Sequence, residues 1–294
     1  MSQNRLLQLC EQGPFFDVCV YDCLSAKVVE KAGFKALCLS GASLALAYCG
    51  YPDIGIVTLT EVAEMVRRIT SATKLPLIVD IDSGFGNELN IIRTCKLIAE
   101  AGASAVHLED QTFPKRTPTM PGFSLVSRDE WKRMLEAALY GLRDTNCELI
   151  ARTDSRVKYD IEECVARMKI ATDMGVKMTL PIGVYDKDEI AYYMSEIPGY
   201  KMYEYLSMPG SLRTTKEQMS RTFDDCAKLG YTMMSVPAVS LFGAMYGIRK
   251  FADSLQSNQH DFDIIRDMKE SGTSFEYFIN LTDREKWLNW DQYK

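Results

Sequence analysis

The feature that most narrows the fold is an alternation repeated eight times along the chain. Short apolar, β-rich runs at 18–20, 36–39, 75–79, 105–108, 148–151, 177–180, 201–205 and 232–235 are each followed by a segment of helical character. Those segments are 25–31, 60–70, 89–101, 127–142, 161–174, 187–196, 215–229 and 238–254. Their ends carry stop signals: Gly33, Gly102, Gly175, Gly230 and the pair Pro198-Gly199. Ser127 and Thr58 or Thr60 stand where N-caps belong. Eight strand–helix units without a linker-like shift in composition predict an α/β chain, a closed (β/α)8 TIM barrel rather than an open sheet. The barrel is assigned to 1–255 as the catalytic domain. Residues 256–294 are assigned as a C-terminal helical extension, with a helix at 261–269. Phe275, Tyr277, Phe278, Trp287, Trp290 and Tyr293 crowd its end. A closed barrel needs no further elements. These aromatics therefore pack on the barrel's own outer helices or, the preferred expectation, cross to a neighbouring subunit in a homo-oligomer.

Several classes of function are set aside early. Thirty-four basic against 40 acidic residues give a net charge of −6, which argues against a nucleic-acid footprint. No apolar run approaches the ~18 residues of a membrane span. The stretch Leu6-Leu7-Gln8-Leu9 is too short for the core of a signal peptide. The nine cysteines stand singly without CxxC spacing, which reads as reduced thiols and points to a cytoplasmic protein. Gly84-Phe85-Gly86 is too short for a dinucleotide fingerprint, and the first strand–helix turn lacks one.

In barrels of this kind the site lies at the C-terminal ends of the strands. There the sequence places Tyr21 and Asp22; Ser40, Gly41 and Ala42; Asp80 and Asp82; His107, Glu109 and Asp110; Arg152 and Asp154; and Glu204. Side chains alternate along a strand, so Asp80 and Asp82 share a face, and Glu109 arrives from the next strand. Three converging carboxylates repel unless a cation sits among them. Oxygen-only donors favour Mg²⁺, with Mn²⁺ as a substitute. Against this stands a plain acidic turn before Gly84 and Gly86. Arg152 can take a substrate carboxylate in a bidentate fork, or can pair with Asp154 or Glu109 to hold the rim. Ser40-Gly41-Ala42 offers a small anion nest. His107 reads as a partner of the site rather than a catalyst, and His260 as a surface residue. The loop from Gln111 to Val126 is long and carries Pro114, Pro118 and Pro121, so it is expected to act as a lid through Lys115.

These residues resemble the phosphoenolpyruvate mutase/isocitrate lyase superfamily over nearly the whole barrel. The similarity runs through Tyr21-Asp22-Cys23-Leu24-Ser25-Ala26, Leu39-Ser40-Gly41-Ala42, Pro52-Asp53-Ile54-Gly55 with Thr58-Leu59-Thr60-Glu61, and Asp80-Ile81-Asp82-Ser83-Gly84-Phe85-Gly86-Asn87. His107-Leu108-Glu109-Asp110-Gln111, Phe113-Pro114-Lys115 and Ala151-Arg152-Thr153-Asp154 complete it. The resemblance implies a Mg²⁺ enzyme of small 2-oxo or 2-hydroxy acids. Asp80 would bind the metal most directly, with Asp82, Glu109 and Asp53 holding it largely through water. Ser40, Gly41, Ala42, Asp53, Arg152 and Glu204 would hold the substrate, and Tyr21, Lys115, Arg152 and Glu109 are the candidate catalytic residues. Members commonly swap a terminal helix in dimers that pair into tetramers, so a dimer or tetramer is implied.

Three departures bear on the subclass. Lyases of the superfamily carry Lys-Arg-Cys-Gly-His on the loop after the fourth strand, and here Lys115-Arg116-Thr117-Pro118-Thr119 stands in its place. A threonine hydroxyl is far too weak an acid to replace the thiol. A Pro-Glu at the sixth strand is Pro181-Ile182, and the asparagine near the seventh is Glu204. The leading expectation is a Mg²⁺-dependent carbon–carbon lyase of a small 2-hydroxy or 2-oxo dicarboxylic acid. It works by retro-aldol cleavage or decarboxylation through an enolate, and decarboxylation is the easiest step without a protein acid. The alternative is phosphorus–carbon chemistry, as in phosphoenolpyruvate mutase or phosphonopyruvate hydrolase. A third reading is a non-catalytic barrel that binds an acid.

Overall fold

The computed structural model describes residues 3–118, 120–205, 215–258, 262–282 and 284–289. Thr119, His260, Asp261, Trp290 and Tyr293 lie outside them. The chain divides into two compact units, 1–239 and 240–294. In the first, eight parallel strands follow one another around a closed barrel: β1 (Phe15–Val20), β2 (Ala36–Leu39), β3 (Leu77–Asp80), β4 (Ala105–Glu109), β5 (Glu148–Thr153), β6 (Met178–Pro181), β7 (Tyr200–Glu204) and β8 (Met233–Val236). The ring closes by pairing β1 with β8, from Phe15↔Met233 to Val18↔Val236. The expected strands are all present, with bounds shifted by a few residues. No described helix is long and apolar enough to cross a membrane.

Period-two alternation divides the apolar residues into two cores. Phe15, Cys19, Cys38, Ile78, Ala105, Ile150 and Met233 fill the barrel interior. Val18, Val20, Leu39, Val79, Val106 and Leu108 point outward, against the helices. The helices are amphipathic and well capped. α4 (Leu59–Ala72) opens with a capping box between Thr58 and Glu61, and α6 (Arg128–Leu142) with one between Ser127 and Glu130. Each box satisfies backbone donors that the first helical turn leaves unpaired.

Three elements differ from expectation. The apolar stretch at Leu6 belongs to a helix, α1 (Arg5–Gln12), whose Leu6, Leu7 and Cys10 join the interior core and close the barrel's floor. Asn4 caps it and donates from Nδ2 to the carbonyls of Ser104 (2.7 Å) and Asn146 (2.6 Å), anchoring the plug to the fourth and fifth strands. Residues 41–49 form a short helix, α3 (Gly41–Leu44), running into a π-turn at Ala45–Cys49. The helix expected over 215–229 is broken into Lys216–Ser220 and Phe223–Lys228. Between them Arg221 is buried and donates to Tyr203 Oη at 3.3 Å. The second unit holds helices at Phe262–Glu270, Phe275–Leu281 and Arg284–Leu288.

The interior also holds one acid away from the mouth. Asp17 is fully buried, and Ser235 Oγ donates to its Oδ1 at 2.7 Å while Oδ2 has no hydrogen bond. Burial pushes its carboxyl up to about 7, against the pull of the Ser235 hydroxyl. The folded state therefore holds this proton between about pH 4 and 7, while the unfolded chain has lost it. Stability contributed by the proton falls as pH rises through that window, by up to roughly 4 kcal/mol, and is flat above it. Asp17→Asn should reduce the fall in Tm between pH 5 and pH 8. An unchanged pH slope in the variant would contradict this assignment.

Candidate active site

The strands that end side by side bring the polar residues together. Asp80 closes β3 and Glu109 closes β4, and the register pairs Asp80 with His107 and Glu109 with Arg152. Asp80, Asp82, Glu109 and Lys115 are all buried at this mouth, and Arg152 is only 14% exposed at its side chain. Asp82 sits at φ 48°, a left-handed conformation that aspartate tolerates at a cost, and its N–H donates to Asp80 Oδ1 at 3.1 Å. At Gly41 the backbone approaches the acids closely: a Cβ would come within 3.2 Å of Asp80 Oδ2 and 3.3 Å of Asp82 Oδ1, a tight contact. The Gly41 N–H points at Asp80 Oδ2, 3.3 Å away.

Two cations hold the acids. Lys115 Nζ lies 2.6 Å from Asp53 Oδ1 and 3.1 Å from Asp82 Oδ1. Arg152 lies 3.1 Å from Glu109 Oε2, 3.1 Å from Asp154 Oδ1 and 4.0 Å from Asp80 Oδ2. Both ion-pair partners considered for Arg152 from sequence are thus engaged. Burial opposes the charge on Asp80, but His107, Lys115 and Arg152 outweigh it and hold the carboxyl at about 2. His107 Nδ1 is 3.4 Å from Asp80 Oδ1, and burial lowers its own pKa, so near neutral pH the two permanent cations carry the effect. Asp82 is pushed up to about 6 by burial, with Lys115 pulling down and Asp80 and Asp53 pushing up. Glu109 is raised well above the carboxylate range by burial, against the pull of Arg152. Crowded carboxylates that split in this way mark a site short of positive charge.

A hard cation fits that shortage. Glu109 Oε1 is buried without a hydrogen bond, while Glu109 Oε2 and Asp82 Oδ1 are met only by the ion pairs to Arg152 and Lys115, each at 3.1 Å. Among the described residues, no three His, Cys, Asp or Glu side chains converge closely enough to ligate one ion directly. The donor set therefore suits an ion that keeps most of its water and takes one or two carboxylates, the habit of Mg²⁺.

The loop from Gln111 to Val126 closes at its base through the Gln111↔Leu125 bridge and the Thr112 N–H bond to Ser124 O (3.0 Å). Its middle rests on the Asp53 turn. Thr117 Oγ1 donates to Asp53 Oδ2 at 3.1 Å, and Arg116 Nη1 to Ile54 O at 2.9 Å. At Gly55, φ 74°, a Cβ would meet Pro114 Cβ at 3.0 Å and Lys115 N at 3.1 Å. Gln111 connects loop to barrel: its Nε2 donates to Asp154 Oδ2 (2.7 Å) and its Oε1 accepts from Arg116 N–H (2.9 Å).

The remaining candidates are less closely joined to the acids. Ser40 Oγ accepts from Ser43 N–H as the cap of α3, and Ala42 is exposed. Tyr21 is half-buried, and no described hydrogen bond ties its phenol to the acid set. Glu204 ends β7, half-buried, and accepts from Tyr185 Oη. Sequence reasoning assigned no role to Gln111, and treated Asp110 only as a motif residue. Asp110 accepts from Thr153 Oγ1 (2.5 Å) and Arg167 Nη1 (3.1 Å), bracing the C-terminal end of β5 beside Arg152.

A closed parallel barrel with a buried acid cluster and two engaged cations at its C-terminal mouth has the arrangement of a barrel enzyme's active site. A family model, phosphoenolpyruvate phosphomutase, matches residues 6–256. The chain belongs to that family, within the phosphoenolpyruvate mutase/isocitrate lyase superfamily. It is 30% identical over 252 residues to 2-methylisocitrate lyase of Shewanella oneidensis, covering 86% of this chain and 84% of that protein. The structure of oxaloacetate acetylhydrolase with 3,3-difluorooxalacetate superposes with a TM-score of 0.88 at 25% identity, over 98% of this chain and 95% of that one. Phosphonopyruvate hydrolase with oxalate and Mg²⁺ superposes with a TM-score of 0.82 at 26% identity, over 98% of each chain.

Thr117→Val keeps the loop's side-chain shape and removes the hydroxyl that donates to Asp53. The loss is expected to be about 1 kcal/mol of loop docking, with global Tm nearly unchanged. Limited proteolysis between 112 and 124 should then run several-fold faster. Equal cleavage rates would show that the hydroxyl does not hold the loop down.

Proposed function

We propose that the chain is a magnesium-dependent lyase that breaks a carbon–carbon bond in a small 2-hydroxy or 2-oxo acid through an enolate. The observation that carries this reading is the buried carboxylate set at the mouth, where three acids share two cations and Glu109 Oε1 has no hydrogen bond. Asp80 would hold the cation directly, and Asp82, Glu109 and Asp53 largely through water, with Mn²⁺ able to substitute. When bound, the cation would stabilise charge developing on the enolate oxygen. Arg152 would turn its guanidinium to the substrate carboxylate, with Glu109 and Asp154 fixing its plane. Ser40 and Gly41 would line the same end of the substrate. Lys115 would close over it as the loop seats on Asp53. Tyr21 and Glu109 are the remaining groups proposed to touch the reacting atoms.

The position that carries the lyases' cysteine is Thr117, whose hydroxyl donates to Asp53. In this reading the enolate takes its proton from solvent. Phosphorus–carbon chemistry is the second reading, supported by the likeness to phosphonopyruvate hydrolase. The barrel domain is proposed to be 1–255, in a cytoplasmic homo-oligomer, dimer or tetramer, in which 256–294 crosses to a neighbour. In its own unit the extension leaves Phe275 75%, Phe278 54% and Trp287 74% exposed, an unusual burden of bare aromatic surface.

Asp80→Ala should abolish Mg²⁺-dependent release of pyruvate from a panel of 2-oxo and 2-hydroxy acids while the barrel stays folded by circular dichroism. Undiminished turnover in the folded variant would reject the metal assignment. For the assembly, each buried aromatic would contribute on the order of 1.5–3 kcal/mol. Sedimentation at micromolar concentration should report a dimer or tetramer, and deletion of 261–294 should yield smaller, aggregation-prone species. A full-length protein that sediments as a monomer of 33.3 kDa would sink the crossing extension.

A further inference from the structure

We propose that Glu204 meets the far end of the substrate and selects an acid with a hydroxyl there, in place of a second carboxylate or a phosphonate. The inference rests on the lyase reading above and narrows its substrate to a hydroxy acid, in place of the dicarboxylic acid expected from the sequence. In the ring of eight strands β7 stands opposite β3, so an acid anchored at Asp80 that spans the mouth would end at β7. Along β7, Met202 faces the barrel interior and Tyr203 the outer core, which returns Glu204 to the interior face at the strand's end. Its register partner is Ser235, whose hydroxyl reaches Asp17 inside the barrel. Tyr185 Oη donates to one Glu204 oxygen and holds the carboxylate in place. No described cation pairs with Glu204, and the neighbouring inner residues of β6 and the turn after it, Leu180 and Ile182, are apolar.

Charge decides what this end of the mouth accepts. Asp53, Asp80, Asp82, Glu109, Asp154 and Glu204 set six carboxylates against Lys115 and Arg152, and both cations are already engaged by acids. A divalent cation and one substrate carboxylate can be accommodated near β3. A second anionic group opposite Glu204 would meet a like charge with no cation beside it among the described residues. An ionised carboxylate only accepts hydrogen bonds, whereas an asparagine amide also donates, so Glu204 demands a donor from the ligand. A hydroxyl supplies one.

The same contact suits retro-aldol cleavage of a 4-hydroxy-2-oxo acid. The hydroxyl proton passes to Glu204, the O–H electron pair forms the new C=O, and the C3–C4 bond breaks with its pair entering the enolate. The enolate takes a proton at C3 from solvent, and Glu204 returns its own proton to solvent. The acid is thereby split into a 2-oxo acid and an aldehyde with no net gain or loss of protons.

The test compares 4-hydroxy-2-oxobutanoate with oxaloacetate, both read as Mg²⁺-dependent pyruvate release, for the native chain, Glu204→Gln and Tyr185→Phe. Mg²⁺-dependent oxalate binding to the native chain is measured alongside, because oxalate has no group to reach Glu204. The native chain should favour the hydroxy acid at least ~10-fold in kcat/KM, and Glu204→Gln should lower that value about 100-fold while raising the one for oxaloacetate. Tyr185→Phe should shift the ratio the same way by about 10-fold, which keeps the test decisive if the first variant does not fold. Oxalate binding with a preference for oxaloacetate, or with both substrates lowered alike in the variants, would overturn this inference alone. No Mg²⁺-dependent oxalate binding would overturn the lyase reading and this inference with it.

Discussion

The structure turns on the crowding of buried carboxylates at one end of the barrel. Asp80, Asp82 and Glu109 are packed where water is scarce, and two cations cannot satisfy them all. Asp80 stays ionised because Lys115 and Arg152 both reach its field, whereas Asp82 and Glu109 are pushed toward the neutral form by burial. Two carboxyls in a raised state beside one in a lowered state make the mouth a receptor for positive charge. Removing either cation would leave buried acids without compensation, a change that commonly costs several kcal/mol. In the proposed reading, stability and affinity for a metal would depend on the same residues.

The barrel tolerates this cluster because its interior changes character along its axis. The floor is apolar, with Phe15, Ile78, Ala105, Ile150 and Met233 sealed from below by Leu6, Leu7 and Cys10 of α1. Toward the C-terminal ends the same inward positions become Asp80, Glu109, Arg152 and Glu204. The rigid floor and the outer core around it set the strand ends, so the polar side chains need little freedom to find one another. Asp17 and His107 lie between the two regimes. Both are buried: Asp17 Oδ2 has no hydrogen bond, and His107 Nδ1 faces Asp80 Oδ1 at 3.4 Å.

How much of this was legible in the sequence follows from the range of each signal. Eight apolar runs and their helix stops are local patterns, and they returned the barrel and its strands. Period-two alternation put Asp80, Asp82 and Glu109 together because it needs only the order of neighbouring strands. The plug α1 was hidden because its meaning lies in Leu6 and Leu7 meeting the barrel floor, and its anchor is Asn4 reaching carbonyls 100 and 142 residues away. The break at Arg221 was hidden because the pattern over 215–229 is helical locally, while the packing of Arg221 against Tyr203 is tertiary. Lys115 was legible as a loop residue reaching the site. Its grip on both Asp53 and Asp82 was not, since those partners come from different strand ends.

That grip couples the loop to the site. Asp53 accepts both Lys115 and Thr117, so one carboxylate anchors the loop and belongs to the acid cluster. Gly55 allows the approach, because a side chain there would strike Pro114 and the backbone of Lys115. Seating the loop delivers Lys115 to Asp82, and lifting it would withdraw a cation from beside the acids. A divalent ion arriving at the cluster would compete with Lys115 for those carboxylates. Ion binding and loop position are thus linked through charge, and each must change the free energy of the other.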